Sequence, residues 1–500
     1  MNPFNHLVTL SPCHPVTMAH DFQRRAAAAL EDDFLRTTLT RSTGILRQQR
    51  ASAIADTTPF NHLQAEARSV RMAALGRLPE LLEQLDSRAR ANGMEVFWAE
   101  DAAAANRYLL ALAEARRVRQ VVRSHSAVVE EIGLDATLAA AGVGVVLTQV
   151  GDYIVQLSGD DPSHMVYPAL HQRKEDVADL FEAKLDVPKT LDIQALASMV
   201  RFKLRRPILE STLSVSGVAF GVAETGTLVL TSDSGDDRFT LAASPVHVAI
   251  MGIEQVVARL DDLALLLALG SRSASGQPLA SYTTWLNGPM PAGAPDGPRD
   301  LHLILLDNGR SDLLRWGYGE ALACIRCGAC QNACPVYREI GGQAYSSRGS
   351  GPIDSVFLPL LPVPPNNHPA AGPLGVKRPR QRAGAQPGTE PSPPLESPPL
   401  RGAPFADLPR ASTLCGACAD VCPVGIDIPR LLVRLRGDLV EAGQSGFDQR
   451  LLRRAYRWGM ADPGRYRRLH RWLRRGNLLR RWPQPAAQTF RERWQARRSP

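Results

Sequence analysis

Cysteine is nearly absent from most of this 500-residue chain. Seven of its eight, Cys324, Cys327, Cys330, Cys334, Cys415, Cys418 and Cys422, sit in two short clusters, and Cys13 stands alone. An odd number of clustered thiols argues against a disulfide framework. Long apolar runs are also missing. The most apolar, "LALLLALG" at 263–270, follows Arg259, Asp261 and Asp262 and falls short of the roughly 20 residues that span a bilayer. The first thirty residues show no basic segment followed by an uninterrupted apolar one, so no secretory leader is expected and the predicted compartment is cytoplasmic. Organisation tightens from Met18, a second candidate start beside Met1. Neither G-x-G-x-x-G nor G-x-x-x-x-G-K-S/T occurs, which removes the dinucleotide and P-loop fingerprints.

What is present divides unevenly. The apolar fraction of 44% is ordinary for a protein that buries a core. The formal net charge is +8, yet residues 430–500 hold 19 arginines, no lysine and five acids, a surplus of 14 that leaves the remainder at about −6. Basicity therefore belongs to the tail, and nucleic-acid binding by the main body is not expected. Trp458, Trp472, Trp482 and Trp494 are spaced through this basic helical C-terminal region (437–500), and Pro463 and Pro483 divide it into short helices. Three readings fit it: surface helices on the body, a docking site for a partner subunit, or peripheral contact with anionic lipid.

Along the chain, residues 1–92 read as an N-terminal extension and a helical layer, with apolar positions at helical period in "EARSVRMAALGRLPELLEQL". From 93 to 308 short apolar runs alternate with helical segments: "MEVFWA", "VRQVVR", "VGVVLTQV", "DYIVQL", "VAFGVA", "GTLVLT", "VHVAIMGI" and "LHLILLD". Alternation of this kind predicts an α/β domain with a largely parallel sheet. Within it, residues 223–238 read as two short strands joined by polar turns. Residues 309–358 and 405–436 carry the cysteines. Between them 359–404 holds 14 prolines in 46 residues, the composition of a disordered linker.

The first cluster reads C-x2-C-x2-C-x3-C-P from Cys324 to Pro335, the run by which bacterial-type ferredoxins hold a 4Fe–4S cluster. In two-cluster ferredoxins the fourth cysteine ligates the other cluster, and a second motif is present at Cys415, Cys418, Cys422 and Pro423. Cross-ligation assigns Cys324, Cys327, Cys330 and Cys422 to cluster 1, and Cys334, Cys415 and Cys418 to cluster 2. Cluster 2 is one thiolate short, because Ser412 stands where a full repeat would have cysteine. Its fourth iron would take a hydroxyl, water or partner ligand, or be lost to leave 3Fe–4S. Zinc is the rival, since C-x2-C pairs also build tetrahedral sites, but seven thiols do not divide into four-thiolate sites.

These motifs, with "GDYIVQLSGDDPSHMVYPALH" (151–171), "SGVAFGVAETGTLVLTSDSGDDR" (216–238), "CIRCGACQNACPVYREIGGQAY" (324–345) and "LCGACADVCPVGIDIPRLLVRLR" (414–436), resemble the lactate utilization protein B family from about Met18 onward. The resemblance implies an α/β LUD domain similar to the NagB/RpiA/CoA-transferase group, then an α-helical ferredoxin-like domain with two 4Fe–4S clusters. It also implies an electron-transfer subunit of a system that oxidises L-lactate to pyruvate, alongside a cysteine-rich subunit and a second LUD-domain subunit. Substrate oxidation would then lie in a partner, and a quinone-linked acceptor at the membrane would fit downstream. Another 2-hydroxy acid or glycerol phosphate as substrate, or a redox-sensing LUD protein, are the alternatives. Relatives tend to carry lysines where this chain has Arg123 and His125, a departure under which an anionic ligand held by those lysines would not carry over, because Arg and Lys differ in geometry and hydration. His164, His171, Glu224, Thr225, Asp233, Asp236, Asp237 and Arg238 are candidates to line a LUD pocket, although each is more often a capping or solvated residue.

Overall fold

The computed structural model describes residues 22–55, 59–346, 349–362, 397–400, 403, 405–443 and a few positions between 454 and 468. Cys13, Met18, residues 363–396 of the Pro-rich stretch and most of the basic tail lie outside the described residues. The chain divides into two compact units, residues 1–438 and 439–500. In the second, the Arg465 guanidinium stacks 5.3 Å from the centre of the Trp458 ring.

Ten strands are present among the described residues: β1 Glu95–Ala99, β2 Gln120–Arg123, β3 Gly144–Leu147, β4 Leu213–Gly217, β5 Phe220–Val222, β6 Thr227–Ser232, β7 Val246–Gly252, β8 Val256–Val257, β9 Tyr282–Leu286 and β10 Asp300–Leu306. Six of them form a wholly parallel sheet in the order β1, β10, β7, β4, β2, β3. Every residue of β7 is buried, as a parallel strand covered on both faces requires. Its side chains alternate between two cores. Val246, Val248 and Ile250 join Leu109 and Ile132, while Ala249 and Met251 join Leu81 and Leu85 of the helix Leu78–Ala91. β8, β5, β6 and β9 form a second sheet in which β5 and β8 alone run parallel.

Several expectations need correction. "DYIVQL" is not a strand but part of the helix Val150–Ser158, opened by the Gln149 side chain accepting from Asp152 N–H and closed by Gly159 in the left-handed region. Capping here outweighs β-branched content. Residues 223–238 hold one strand, β6, and then the start of the helix Asp236–Ala243. The helices Phe22–Glu31 and Asp33–Ala55 pack on the cysteine region, where Leu39 is fully buried with Cys334, Tyr337 and Ile340. They therefore belong with the cysteines more than with the α/β layer. The edges of the Pro-rich stretch are also packed, since Leu360, Leu361 and Leu400 are buried.

Because all six strands of the large sheet run the same way, their carboxyl ends share one edge. Crevices at that edge are where ligands bind in open α/β sheets. The cysteine region covers this edge, and the backbone there leaves little slack: a Cβ on Gly342 would stand 1.9 Å from the Ser163 carbonyl oxygen.

Candidate metal centre and adjoining cavity

The cysteine loops are built from short helices with left-handed residues between them. Arg326 (φ 57°) and Gly328 (φ 73°) turn the first loop, and Leu414 (φ 56°) and Gly416 (φ 88°) turn the second. Gly328 and Gly416 then start the helices Ala329–Ala333 and Ala417–Asp420, which carry Cys330 and Cys418. The cysteine–proline pair has a local cause. Cys334 caps the helix Pro335–Ile340, its sulfur accepting from Tyr337 N–H at 3.5 Å, and Pro335 occupies the first turn, where no N–H is needed. Cys324 Sγ accepts from Arg326 N–H and Cys422 Sγ from Ile426 N–H, both at 3.4 Å.

Electrostatics sort the seven thiols into two sets. Burial pushes Cys324 up to about 11 and Cys327 to about 12, and each is raised further by Cys422. Cys330 goes well above its usual range through burial first, then Cys324, Cys327, Cys418 and Cys422. Cys418 rises to about 12 through burial, then Cys334 and Cys415. Cys422 thus sits with the first three cysteines and Cys334 with the second motif, and the two sets adjoin through Cys330 and Cys418. Cys415 is the exposed member, lowered by the Ala417 N–H.

An iron–sulfur core fits these residues. Desolvation raises all four thiols of this set, so holding them as thiolates requires a cationic centre between them. Two buried donors face the thiols: Arg50 Nε, which has no other partner and lies near Cys327 and Cys422, and Tyr345 Oη, which lies against Cys334. Both suit inorganic sulfide acceptors. Zinc fits poorly. Thiolates about 2.3 Å from one zinc stand roughly 3.8 Å apart, yet among the described residues no three cysteine sulfurs come within 4.8 Å of one another.

Arginines of the N-terminal helices close over the first set, a feature the sequence reading missed. Arg50 donates to Val421 O at 3.0 Å and Gln64 to Cys422 O at 2.6 Å. Arg68 bonds Gly425 O and the Glu320 carboxylate, and Arg71 reaches four main-chain carbonyls, those of Glu254, Val256, Leu322 and Ala323. Gln64, Arg68 and Arg71 share one face at helical spacing, so polar residues on a face that ought to be apolar were the available signal.

At the carboxyl ends of β2, β3 and β4 lies a cavity of about 440 Å³. His125, Gln149 and Val218 come from those ends, Asp237 from the helix after β6, Leu266 from the helix Leu260–Ala274, and Ile325 from the first cysteine loop. Cys324 and Cys327 lie in its wall but Cys330 and Cys422 do not, so the space is on the α/β side of the loop. Thr231, Asp233 and Ser234 on its rim are exposed.

Of the predicted pocket residues, Asp233, Asp236 and Asp237 line this cavity. His164 is buried beside it as a structural link: its Nδ1 accepts from Val166 and Tyr167 N–H, and its Nε2–H donates to Asn332 at 3.2 Å. His171 bonds Asp160 and Gln343, Glu224 accepts from Leu260 N–H, Thr225 pairs with Thr227, and Arg238 is exposed. Arg123 and His125, the departures from the family's lysines, are both engaged by protein groups. Arg123 is clamped by both Asp135 oxygens at 2.6 Å. His125 donates from Nδ1 to Asp152 at 2.9 Å and from Nε2 to Met165 O at 2.6 Å. Burial would lower its pKa, but Asp152 and then Glu130 raise it to about 10, so it is imidazolium at neutral pH.

The fold and the paired thiol sets define an iron–sulfur protein with an α/β domain ahead of its cluster region. Family models agree: one for the LUD domain matches residues 82–306, and one for a 4Fe-4S dicluster domain, implying two clusters, matches 320–426. The chain is 35% identical over 450 residues, 89% of its length and 86% of the relative's, to "Lactate utilization protein B" of Geobacillus kaustophilus (strain HTA426). It is 33% identical over 444 residues, again 89% and 86%, to "Uncharacterized electron transport protein YkgF" of Escherichia coli (strain K12). With "Lactate utilization protein B" of Bacillus licheniformis it shares 31% identity over 499 residues, 95% of this chain and 97% of the other. The chain belongs to the lactate utilization protein B family. Among the described residues, no helix is long and apolar enough to cross a membrane.

Proposed function

We propose that this protein is the iron–sulfur electron-transfer subunit of a complex that oxidises L-lactate to pyruvate, working with a cysteine-rich subunit and a second LUD-domain subunit. The observation that carries the reading is the placement of Cys422 among the first-motif thiols and of Cys334 among the second, in a chain of this family. Cys324, Cys327, Cys330 and Cys422 would hold cluster 1; Cys334, Cys415 and Cys418 would hold cluster 2. Ser412 Oγ accepts from Leu414 N–H at 3.1 Å, which favours water or a partner group as the fourth ligand of cluster 2. Bound clusters supply one-electron transfer at potentials tuned by charge, hydrogen bonds and burial. The chain's own contribution is to direct N–H groups at the sulfurs and surround set 1 with guanidinium charge.

Anaerobic purification with iron and sulfide counting and low-temperature EPR tests the cofactor part. About eight irons per chain are expected, or about seven if cluster 2 is 3Fe–4S. Folded, colourless and iron-free protein would sink it. Deleting the gene should abolish growth on L-lactate in a strain with no other lactate dehydrogenase, and normal growth there would overturn the substrate. In a second reading another 2-hydroxy acid or glycerol phosphate supplies the electrons. Bleaching of the purified complex by each candidate substrate separates the two.

A further inference from the structure

The geometry points to a divalent-cation site at the carboxyl ends of β2 and β3, built from His125, Glu130 and Asp152, in which the ion clamps three elements of the α/β domain behind the cavity wall. The site stands apart from the cysteines and is independent of the electron-transfer reading.

Its ligands come from separate elements. His125 follows β2, Glu130 lies in the helix Ala127–Glu131, and Asp152 lies in the helix Val150–Ser158. One ring nitrogen and one oxygen from each carboxylate lie within 4.8 Å of one another. His125 Nδ1 stands 2.9 Å from Asp152 Oδ2 and 3.6 Å from Glu130 Oε1. Ligand atoms about 2.1 Å from one ion stand roughly 3 to 4 Å apart, so this spacing suits a single ion. The imidazole is also turned the right way. Its Nε2 donates to Met165 O at 2.6 Å, the kind of outer hydrogen bond that fixes a metal-bound histidine and directs its other nitrogen at the ion.

Charge balance supplies the independent reason. Arg123 is taken up by Asp135 through two bonds at 2.6 Å, so His125 is left as the cation for both other carboxylates. Asp152 is 3% exposed. The Glu130 side chain is 18% exposed, and among the described residues its carboxylate accepts no hydrogen bond, the 3.6 Å approach to His125 being its one contact with a cation at salt-bridge distance. Asp237, bonded by Ser124, brings a third carboxyl close enough to act on His125 and Asp152. One imidazolium facing two carboxylates leaves a negative charge without a partner and largely out of water, which is destabilising. A divalent ion that takes the place of the Nδ1 proton, which leaves to solvent, offsets both carboxylates beside a neutral ring. A set of two carboxylates and one imidazole suits a hard or borderline cation such as Mn²⁺, which the soft thiolates of the cysteine loops do not favour.

Mn²⁺ is therefore the probe. Titrating the full, iron-loaded chain with manganous chloride under anaerobic conditions, and following the sharp room-temperature EPR spectrum of free Mn²⁺, counts the bound ion. Saturable uptake of about one ion per chain is expected, with cluster iron unchanged and the urea midpoint raised on saturation. His125→Lys keeps a cation against Asp152, so it keeps the fold, but places an ammonium where the ion would sit; it should abolish both the uptake and the stabilisation. Glu130→Gln and Asp152→Asn should weaken binding by about tenfold or more, at least the loss that follows removal of an outer partner of a metal ligand. Asp179→Asn, in the helix Lys174–Leu185 and paired with Lys189, should leave uptake unchanged. No saturable uptake, uptake retained by folded His125→Lys, or unchanged affinity in folded Glu130→Gln would each overturn the inference. Cluster iron is counted separately, so such a failure is distinct from failure of the electron-transfer reading.

Discussion

Cys422 belongs to the second motif by sequence and to the first thiol set by position. Replacing it with alanine should remove a ligand of cluster 1 and cost about four of about eight irons, leaving the other cluster's EPR signal. Loss of the opposite signal would mean that the two motifs bind independently. Arg50 acts on the same set through charge. Arg50→Gln removes a cation beside Cys327 and Cys422, favours the less negative oxidised state, and should lower the cluster 1 midpoint potential by on the order of 1 kcal/mol, roughly 40 mV for one electron. A redox titration followed by EPR measures it. His164 behaves differently because burial keeps it neutral, with its pKa down to about 4. The unfolded imidazole takes up a proton below about pH 6.5. Between those values the unfolded state binds the additional proton, so stability is intact above pH 6.5 and drains by about 3 kcal/mol at most as the pH falls towards 4. Urea titrations across this range should show a flatter slope for His164→Asn than for the parent chain.

Elements are joined by charge where apolar packing cannot do it. Arg310, 1% exposed, bonds Glu131 at 2.8 and 2.9 Å and Glu254 at 2.5 Å, tying the helices Arg310–Arg315 and Ala127–Glu131 to the turn after β7. Arg310→Met strands two buried carboxylates and should cost about 3–5 kcal/mol in urea unfolding. Element identity was legible wherever apolar content decided it. The runs that became β7 and β10 are almost wholly buried and stand out in the sequence. β4 did not stand out, because Ser214 and Ser216 interrupt it; both hydroxyls bond the buried His247 of β7, at 2.7 and 2.8 Å, a pairing that only the sheet creates. "DYIVQL" misled for the converse reason, since its caps lie just outside the apolar run.

On the scale of the whole molecule, the α/β domain and the cysteine region form one compact unit through Asp438. Tyr337 Oη donates to Ser163 O at 2.7 Å, His164 meets Asn332, and Gly342 abuts Ser163. Loss of cluster absorbance and loss of far-UV helical signal should therefore coincide in denaturant; absorbance lost well before the helical signal would show independent domains. The two cysteine groups that the fold brings together were visible from their spacing alone, the spacing that cluster chemistry requires. The cavity was not, since its walls come from strand ends, a helix and a loop separated by some two hundred positions in the chain. The aspartates after β6 and His125 announced it, while His164 and His171 proved to be braces.

Arg50, Gln64 and Arg68 sit on helices made early in translation, and the cysteines they cover are made late. The ribosome thus delivers the cover before the contents. Closure of the cover therefore waits on the last part of the body to be made, which ties the final packing of the amino-terminal helices to the arrival of the cysteine loops.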